Sequence, residues 1–541
     1  MAHLGNEMQT SEDVPEPPTA SVTAGNIKKT ATKKSPLNAE FQKLVQETLD
    51  KWHIQGVAVA VVDGDETWAE GYGIAAMPDV PVRPSTLFYT GSTSKSFTAA
   101  AASLLVDDND MFPKVQWTTP MSELIRDDFV LPDDYATANV TLEDALSNRS
   151  GLAGQEMTLG RPRSIRDYVR TLRHFTMSKP IRTTWQYCNG MFVAVGHMIE
   201  VLTGKDLASF LKERVWGPLG MTSTFWSLAD AQGYAASPDN DATVAIPYAW
   251  DEAASQFAEI PYFGGVLGGA GAVISSVVDY AAYIRCIMRQ TAPLSPAGHT
   301  ALRQPRAFCP QMLPQLKKQM TYSLGWMLAT YHKEDVLLHP GGLEGMTATM
   351  ILFPERDWGV LVFSNSDGPG RETLAWHLID EMLGVPKEER LNLFEVTQKK
   401  RVQQKEHNAT AVQRLYPSVK SPKRPLSVPV DRYAGTFAHP AYPDFVVSIT
   451  PGNGIRIDVA GEFRIRIELE HVTADFFTAS IFFFRFTTAA DVVVPAQFQV
   501  DASGKVTRFG AALDAENMPE TLIWFDRAAE NREKGEMREK E

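Results

Sequence analysis

A serine and a lysine stand three residues apart where the sequence predicts the start of a helix. Ser92 and Lys95 lie in the stretch TGSTSKSFT, which leads into the apolar run AAAASLLV. Side chains at positions i and i+3 share one helix face, so this spacing can bring the lysine amine close to the serine hydroxyl. A serine hydroxyl is a weak nucleophile that needs a neighbouring base, and the N–H groups of a helix start suit a developing oxyanion. The pattern indicates an activated serine, but it is also compatible with an ordinary capped helix, and Ser209 and Lys212 repeat the spacing.

Two further short motifs carry groups that suit acyl transfer. The stretch WQYCNG contains Tyr187 and Asn189, which could supply a proton-transferring phenol and an amide for a substrate carbonyl. The stretch LLHPGGLEGM contains His339, Gly341 and Gly342, whose backbone could approach a substrate closely and complete an oxyanion hole. Taken singly, these motifs are equally typical of a buried tyrosine and of a Pro-Gly-Gly turn.

The elements that must position these residues alternate between strands and helices. Helical spacing begins near residue 38, and Asp63-Gly64 is a hairpin signal between two strand-like runs. A second strand pair brackets Pro354, and the long region between the two pairs is mostly helical. This order predicts an α+β unit in which the N- and C-terminal strands meet in one antiparallel sheet.

The composition changes near residue 397, and the pattern after it has a period of two. Residues 397–427 are polar, basic and rich in proline, which predicts a linker. The runs that follow alternate apolar and polar residues between turn signals at 451–454 and 501–504, which predicts a small antiparallel β-barrel or sandwich. We therefore divide the chain into five parts: a disordered tail (1–36), an α+β domain (37–396), a linker (397–427), a barrel (428–528) and a charged tail (529–541).

Taken together and in order, the motifs STSK (92–95), YCN (187–189) and HPG (339–341) resemble those of the serine beta-lactamase and penicillin-binding protein superfamily. The resemblance is to the branch of class C beta-lactamases and related esterases and aminopeptidases, and it covers about residues 37–390. Residues 433–437, YAGTF, begin a segment that resembles the lipocalin-like domain often appended to such enzymes. This resemblance implies a beta-lactamase-like antiparallel sheet flanked by a helical region, followed by an antiparallel barrel that covers the active site, mediates assembly or only adds stability.

The resemblance also implies roles for the candidate residues. Ser92 would be acylated, Lys95 would take its proton and keep the pKa of Tyr187 low, and Tyr187 would pass protons to the leaving group and to water. Asn189 would bind the substrate amide or ester, and the N–H groups of Ser92 and Gly342 would form the oxyanion hole.

The sequence departs from the resembled pattern at two places. His339 stands where the lactamases have a lysine that helps to bind an anionic substrate group, and a neutral histidine is a weaker counter-ion near pH 7. This favours esterase-, aminopeptidase- or acyltransferase-like activity over beta-lactam hydrolysis. Asn148 and Arg149 stand where a His-Thr pair is common, a change that the sequence alone does not explain.

Composition restricts the partners. The chain of 541 residues has a formal net charge of −13, which argues against nucleic acid or an anionic membrane as the main partner. We find no signal peptide, no run long enough to span a membrane and no CxxC pair, and we expect a cytoplasmic protein without metal or cofactor. The sequence predicts a serine hydrolase for a small ester or amide. An acyltransferase of small-molecule biosynthesis, a non-catalytic scaffold and a homo-oligomer remain open alternatives.

Overall fold

The computed structural model describes residues 33–161, 163–311, 313–316, 318–483 and 489–529. The two predicted terminal segments, 1–36 and 529–541, therefore fall almost wholly outside the described residues. The described residues from Pro36 onward belong to one compact unit.

The predicted meeting of N- and C-terminal strands is confirmed. Gly56–Asp63 turns back into Glu66–Ala76 at the predicted hairpin, and it pairs on its other side with Trp358–Ser364, with Val57 opposite Ser364. Within the described residues this antiparallel sheet has nine strands, in the spatial order Val80–Pro81, Glu66–Ala76, Gly56–Asp63, Trp358–Ser364, Met346–Phe353, Glu334–Leu343, Met327–Tyr331, Met320–Tyr322 and Ala307–Cys309.

Helices cover both faces of the sheet because its central strands are apolar on both faces. The strand GVAVAVVD alternates between two cores, with Val57, Val59 and Val61 in one and Ala58 and Ala60 in the other. The helices Ala39–Trp52 and Gly370–Leu383 lie on one side. The helical region lies on the other, and its longer helices are Ser94–Asp107, Asn189–Thr203 and Val277–Arg289.

Shorter elements complete this domain, which we call the sheet domain (residues 39–383). Its remaining α-helices are Met121–Leu124, Asp134–Asn139, Leu142–Leu146, Ile165–Thr171, Leu207–Leu211, Leu228–Ala235, Gly268–Gly271 and Pro296–Arg303. Its remaining strands form two small sheets, of Phe88–Tyr89, Ile274–Ser275 and Thr224–Phe225 and of Tyr248–Asp251 and Gln256–Glu259.

The predicted C-terminal barrel is also confirmed. Its eight described strands, which we call the barrel, close in sequence order: Gly435–Ala438, Phe445–Ile449, Ile455–Val459, Arg466–Thr473, Phe476–Phe482, Val492–Val500, Val506–Ala511 and Ile523–Arg527. Alternate side chains such as Ile455, Ile457 and Val459 point inward and are buried, as a period of two requires. The interior core continues into the core of the helical region.

The segment predicted to be a linker differs from expectation in its first part. Residues Leu393–Ala409 form a helix that begins before the predicted boundary at 397, and Ala411–Leu415 form another short one. The residues KKRVQQKEH are good helix formers, and the prolines that indicated a linker begin only at Pro417. Among the described residues, no helix is both long and apolar enough to cross a membrane.

Candidate active site

Ser92 lies in a tight turn between the helical region and the sheet. The residues Gly91–Thr93 form a single 3-10 turn that leads directly into the helix Ser94–Asp107. Gly91 has a φ of 53°, and a Cβ there would lie 2.6 Å from the backbone nitrogen of Gly342. Glycine is therefore required at 91, because any side chain would separate the turn from the strand Glu334–Leu343. This close approach leaves Ser92 only partly buried, at the mouth of a cleft.

Lys95 is fully buried one turn after Ser92, and it reaches back to it as predicted. Its Nζ donates to Ser92 Oγ at 3.0 Å, to Asn189 Oδ1 at 2.5 Å and to the carbonyl oxygen of Ala270 at 2.8 Å. Burial lowers the pKa of Lys95 to about 7, against the opposing effect of the Glu156 carboxylate. Near neutral pH a substantial fraction of this amine is unprotonated and can accept the proton of Ser92.

Tyr187 lies beside the same two residues, but its pKa differs from the expectation. Its hydroxyl interacts with the Ser92 side chain, and Lys95 Nζ lies 4.7 Å from the centre of its ring. Burial raises the pKa of Tyr187 above its ordinary value of 10, and the interaction with Ser92 only partly opposes this. The phenol is therefore protonated at neutral pH, so that the amine of Lys95 is the better placed base.

Asn189 begins the helix Asn189–Thr203, and its amide is held at both ends. Its Oδ1 accepts from Lys95, and its Nδ2 donates to Glu156 Oε2. The preceding loop is fixed by Asn148, whose Oδ1 accepts from the N–H of Cys188 at 3.0 Å and whose carbonyl accepts from that of Gln186 at 2.9 Å. Asn148 thus holds the backbone on both sides of Tyr187.

Gly341 and Gly342 lie beside the turn that carries Ser92, whereas His339 does not line the cleft, although its ring centroid is 6.4 Å from that of Tyr187. A Cβ on Gly341 would lie 2.0 Å from the carbonyl oxygen of Thr90, and Gly342 lines the cleft. His339 is 1% exposed, and its Nε2 lies 3.0 Å from the hydroxyl of Tyr322. Burial, reinforced by Lys95, lowers the pKa of His339 to about 3, so the ring is neutral.

Most residues that line the cleft were not found by sequence reasoning, Glu156 and Phe463 among them. Glu156 begins the 3-10 turn Glu156–Gly160, which carries no recognisable motif, and Phe463 belongs to the barrel, more than 300 positions further along the chain. Neither position carries a signal in a single sequence, because Glu156 comes near Ser92 through the folding of the sheet domain and Phe463 through the packing of the barrel against it.

The cleft combines one nucleophile, two carboxyl groups and an apolar wall. Its volume is about 150 Å³. It is lined by Gly91, Ser92, Glu156, Leu159, Asn189, Phe263, Leu267, Ala270, Gly271, Gly342, Leu343, Glu344 and Phe463. Burial raises the pKa of Glu344 to about 7. In the described part of the chain, no group of three or more His, Cys, Asp or Glu side chains is arranged to hold a metal ion.

The barrel contributes to this cleft through the loop that precedes its strand Arg466–Thr473. The N–H of Glu462 donates to the carbonyl of Gly160 at 2.9 Å, and its Oε2 accepts from the N–H of Gly264 at 3.2 Å. Phe463 follows Glu462 and reaches the cleft. The loop is therefore fixed to the sheet domain by one backbone hydrogen bond and by one hydrogen bond to the Glu462 carboxylate.

Comparisons with known proteins agree with this architecture. A family model described as Beta-lactamase matches residues 41–383, and one described as Domain of unknown function (DUF3471) matches residues 419–527. An Unguisins hydrolase of Aspergillus campestris is 35% identical over 510 residues, which is 92% of this chain and 93% of that protein.

Two solved structures share the fold at lower identity. The octameric penicillin-binding protein homologue from Pyrococcus abyssi covers 90% of this chain and 99% of its own, with a TM-score of 0.58 and 17% identity. A class C beta lactamase from Rhodobacter sphaeroides covers 64% of this chain and all of its own, with a TM-score of 0.51 and 21% identity. Because the first match covers 90% of this chain, it extends over both domains.

Proposed function

This chain belongs to the Beta-lactamase family, and from that premise we propose that it is a serine hydrolase that cleaves an amide or ester through a covalent acyl-enzyme. The observation that carries the proposal is the distance of 3.0 Å between Lys95 Nζ and Ser92 Oγ, at the mouth of a cleft and with an amine whose pKa is about 7. An amine with a pKa of about 7 is about half neutral at pH 7, and the neutral form can remove the proton of a hydroxyl within hydrogen-bonding distance.

The proposed reaction assigns one task to each neighbouring group. Ser92 Oγ attacks the carbonyl carbon while its proton passes to Lys95 Nζ, and the N–H groups of Ser92 and Gly342 stabilise the oxyanion. The protonated phenol of Tyr187 then donates a proton to the leaving group and is reprotonated from Lys95. Water releases the acyl group as a carboxylic acid, and Asn189 orients the substrate carbonyl.

The candidate substrates are unguisins, because the relative that is 35% identical over nearly the whole chain is named an Unguisins hydrolase. The wall of the cleft, with Leu159, Phe263, Leu267 and Phe463, suits an apolar group on the substrate. His339 does not line the cleft, so recognition of an anionic substrate group through this residue is not part of the proposal.

The test is acylation of a single residue. Intact-mass measurement after treatment with a fluorophosphonate should show one adduct on the wild type and none on Ser92→Ala. Ser209→Ala is the matched control, because Ser209 begins the second Ser-x-x-Lys pattern and is exposed on another helix. An unlabelled wild type, or an adduct that persists in Ser92→Ala, contradicts the proposal and favours a non-catalytic scaffold.

Product analysis separates hydrolysis from acyl transfer. With an unguisin or an activated ester as the acyl donor, hydrolysis adds the mass of one water to the product, even in the presence of added alcohols and amines. Acyl groups that appear instead on the added acceptor would identify the acyltransferase alternative. Light scattering of the purified chain tests the predicted homo-oligomer separately.

A further inference from the structure

Glu156 completes a chain of hydrogen bonds that leads from the cleft to the nucleophile. Its Oε2 accepts from Asn189 Nδ2, Asn189 Oδ1 accepts from Lys95 Nζ, and Lys95 Nζ lies 3.0 Å from Ser92 Oγ. An amide held between a donor and an acceptor has only one favourable orientation. With the amide reversed, its NH₂ group would face the Lys95 amine and its oxygen would face the carboxylate. The carboxylate therefore determines which end of Asn189 faces Lys95.

The backbone before Glu156 holds the Glu156 side chain towards Asn189. Gln155 adopts a left-handed backbone conformation with a φ of 47°. Its carboxamide bonds both backbone groups of Thr176, at 3.2 and 3.3 Å, and accepts from the Tyr442 hydroxyl of the barrel at 3.2 Å. A Cβ on Gly154 would lie 2.5 Å from Glu156 Oε1, so glycine leaves the room that the carboxylate occupies. Strain at Gln155 is tolerated because both domains anchor its side chain.

We infer that Glu156 is a positioning residue of the acylation step, which fixes the Asn189 amide and thereby holds Lys95 in line with Ser92. This inference rests on the proposed function. In the step, the Ser92 O–H bond breaks as Oγ bonds to the acyl carbon, and the proton moves to Lys95 Nζ. The Glu156 carboxylate receives no proton in this step. It stabilises the ammonium through the Asn189 amide until Lys95 returns the proton towards the leaving group.

Electrostatics gives this arrangement a measurable consequence. The Glu156 carboxylate raises the pKa of Lys95, although burial of the amine outweighs it. Glu156 itself is exposed at the cleft. Two such neighbouring groups titrate as a pair. The other titratable groups that face one or both of them are Tyr168, Tyr187, Cys188, His339, Tyr442, Asp514 and Glu516.

The experiment is the pH profile of kcat/KM from pH 5 to 9 for wild type, Glu156→Gln, Glu156→Asp and Glu516→Gln. The acid limb is the part of the profile where kcat/KM rises with pH, and the plateau is its constant value at higher pH. In Glu156→Gln the lost negative charge should lower the pKa of Lys95 and move the acid limb to lower pH by about one unit. Weaker positioning of Lys95 should lower the plateau about tenfold. Glu156→Asp keeps the charge but withdraws it from Asn189, so the limb should stay in place while the plateau falls. Glu516→Gln removes an exposed carboxylate of the barrel outside the chain of hydrogen bonds, so it should keep the wild-type plateau and move the acid limb less than Glu156→Gln does.

The fluorophosphonate reaction separates this inference from the proposed function. If wild-type Ser92 is labelled but Glu156→Gln has an unchanged limb or an unchanged plateau, the role of Glu156 is refuted and the serine mechanism stands. If wild-type Ser92 is not labelled, the proposed function fails first. The melting temperature of each variant shows whether it is folded. If Glu156→Gln does not fold, Glu156→Asp tests the positioning role, and an unchanged plateau of kcat/KM in that variant refutes it.

Discussion

Phe463 of the barrel lies against Phe263 of the sheet domain, with ring centroids 5.0 Å apart and planes inclined by 47°. Both rings line the cleft beside Ser92. Tilted aromatic pairs at this separation are favourable beyond the area that they bury. The wall of the cleft is therefore shared between the two domains, so a change in the barrel is expected to act directly on the site.

Replacement of Phe463 by alanine should open this wall. With the ring removed, we expect kcat/KM for a substrate with an apolar group to fall about tenfold, mainly through KM, because binding area is lost while Ser92 and Lys95 are untouched. Steady-state kinetics with esters of increasing acyl length measures the effect. Phe476→Ala is the control, since Phe476 is 38% exposed on the barrel and does not line the cleft. Equal losses in the two variants would mean that barrel stability, and not the cleft wall, is being measured.

Gly160 should prove necessary for docking of the barrel loop. A Cβ at this position would lie 2.3 Å from the Phe463 ring, so Gly160→Ala should destabilise the protein by about 1–3 kcal/mol through overpacking. Chemical denaturation of Gly160→Ala, Phe463→Ala and the double variant measures the coupling between the two positions. We expect the added methyl group to cost much less when Phe463 is already alanine. Strict additivity would contradict a direct clash.

The sequence predicted those parts of the site that depend on local spacing. The i, i+3 relation of Ser92 and Lys95 follows from helix geometry, and the meeting of Gly56–Asp63 with Trp358–Ser364 follows from two apolar strand pairs that bracket a helical region. The barrel followed from its period of two. The proximity of Tyr187 and Gly342 to Ser92 came only from the family resemblance, because no local pattern links positions so far apart.

The remainder depended on burial and on contacts between domains, neither of which a single sequence displays. The pKa of Tyr187 is raised and not lowered because burial outweighs its interaction with the Ser92 side chain. His339 is buried against Tyr322 and does not line the cleft, and its role in substrate binding stays a prediction. Glu156 and Phe463 reach the cleft only through the fold, and no pattern in the sequence predicts their positions there.

Asn148, whose presence the sequence did not explain, should support the loop that carries Tyr187. Its φ is 59°, a conformation that asparagine adopts more readily than alanine, and its Oδ1 accepts from the N–H of Cys188. Asn148→Ala should therefore lower the free energy of unfolding by about 1–3 kcal/mol and reduce kcat. Asn148→Asp keeps the acceptor and should retain more of both. Thermal denaturation and kinetics of the two variants check this, and equal behaviour of the two would exclude the hydrogen bond as the cause.

The pH dependence of acylation should follow the coupled titration of Lys95 and Glu156, in which Lys95 is the proton acceptor. Its pKa is lowered to about 7, so the amine is protonated and unable to accept a proton below this pH. The rate of acylation should therefore rise about tenfold per pH unit on the acid side and level off above pH 7. His339 cannot produce this limb, because its pKa is about 3, and the raised pKa of Tyr187 places its ionisation above pH 10.

Lys95→Arg, which stays charged, should lose activity by about 1,000-fold or more at every pH, whereas His339→Gln should keep the wild-type limb. Stopped-flow measurement of acylation from pH 5 to 9 checks both variants. If His339→Gln shifts the pH range over which the acylation rate falls, Lys95 is not the base whose titration controls the rate.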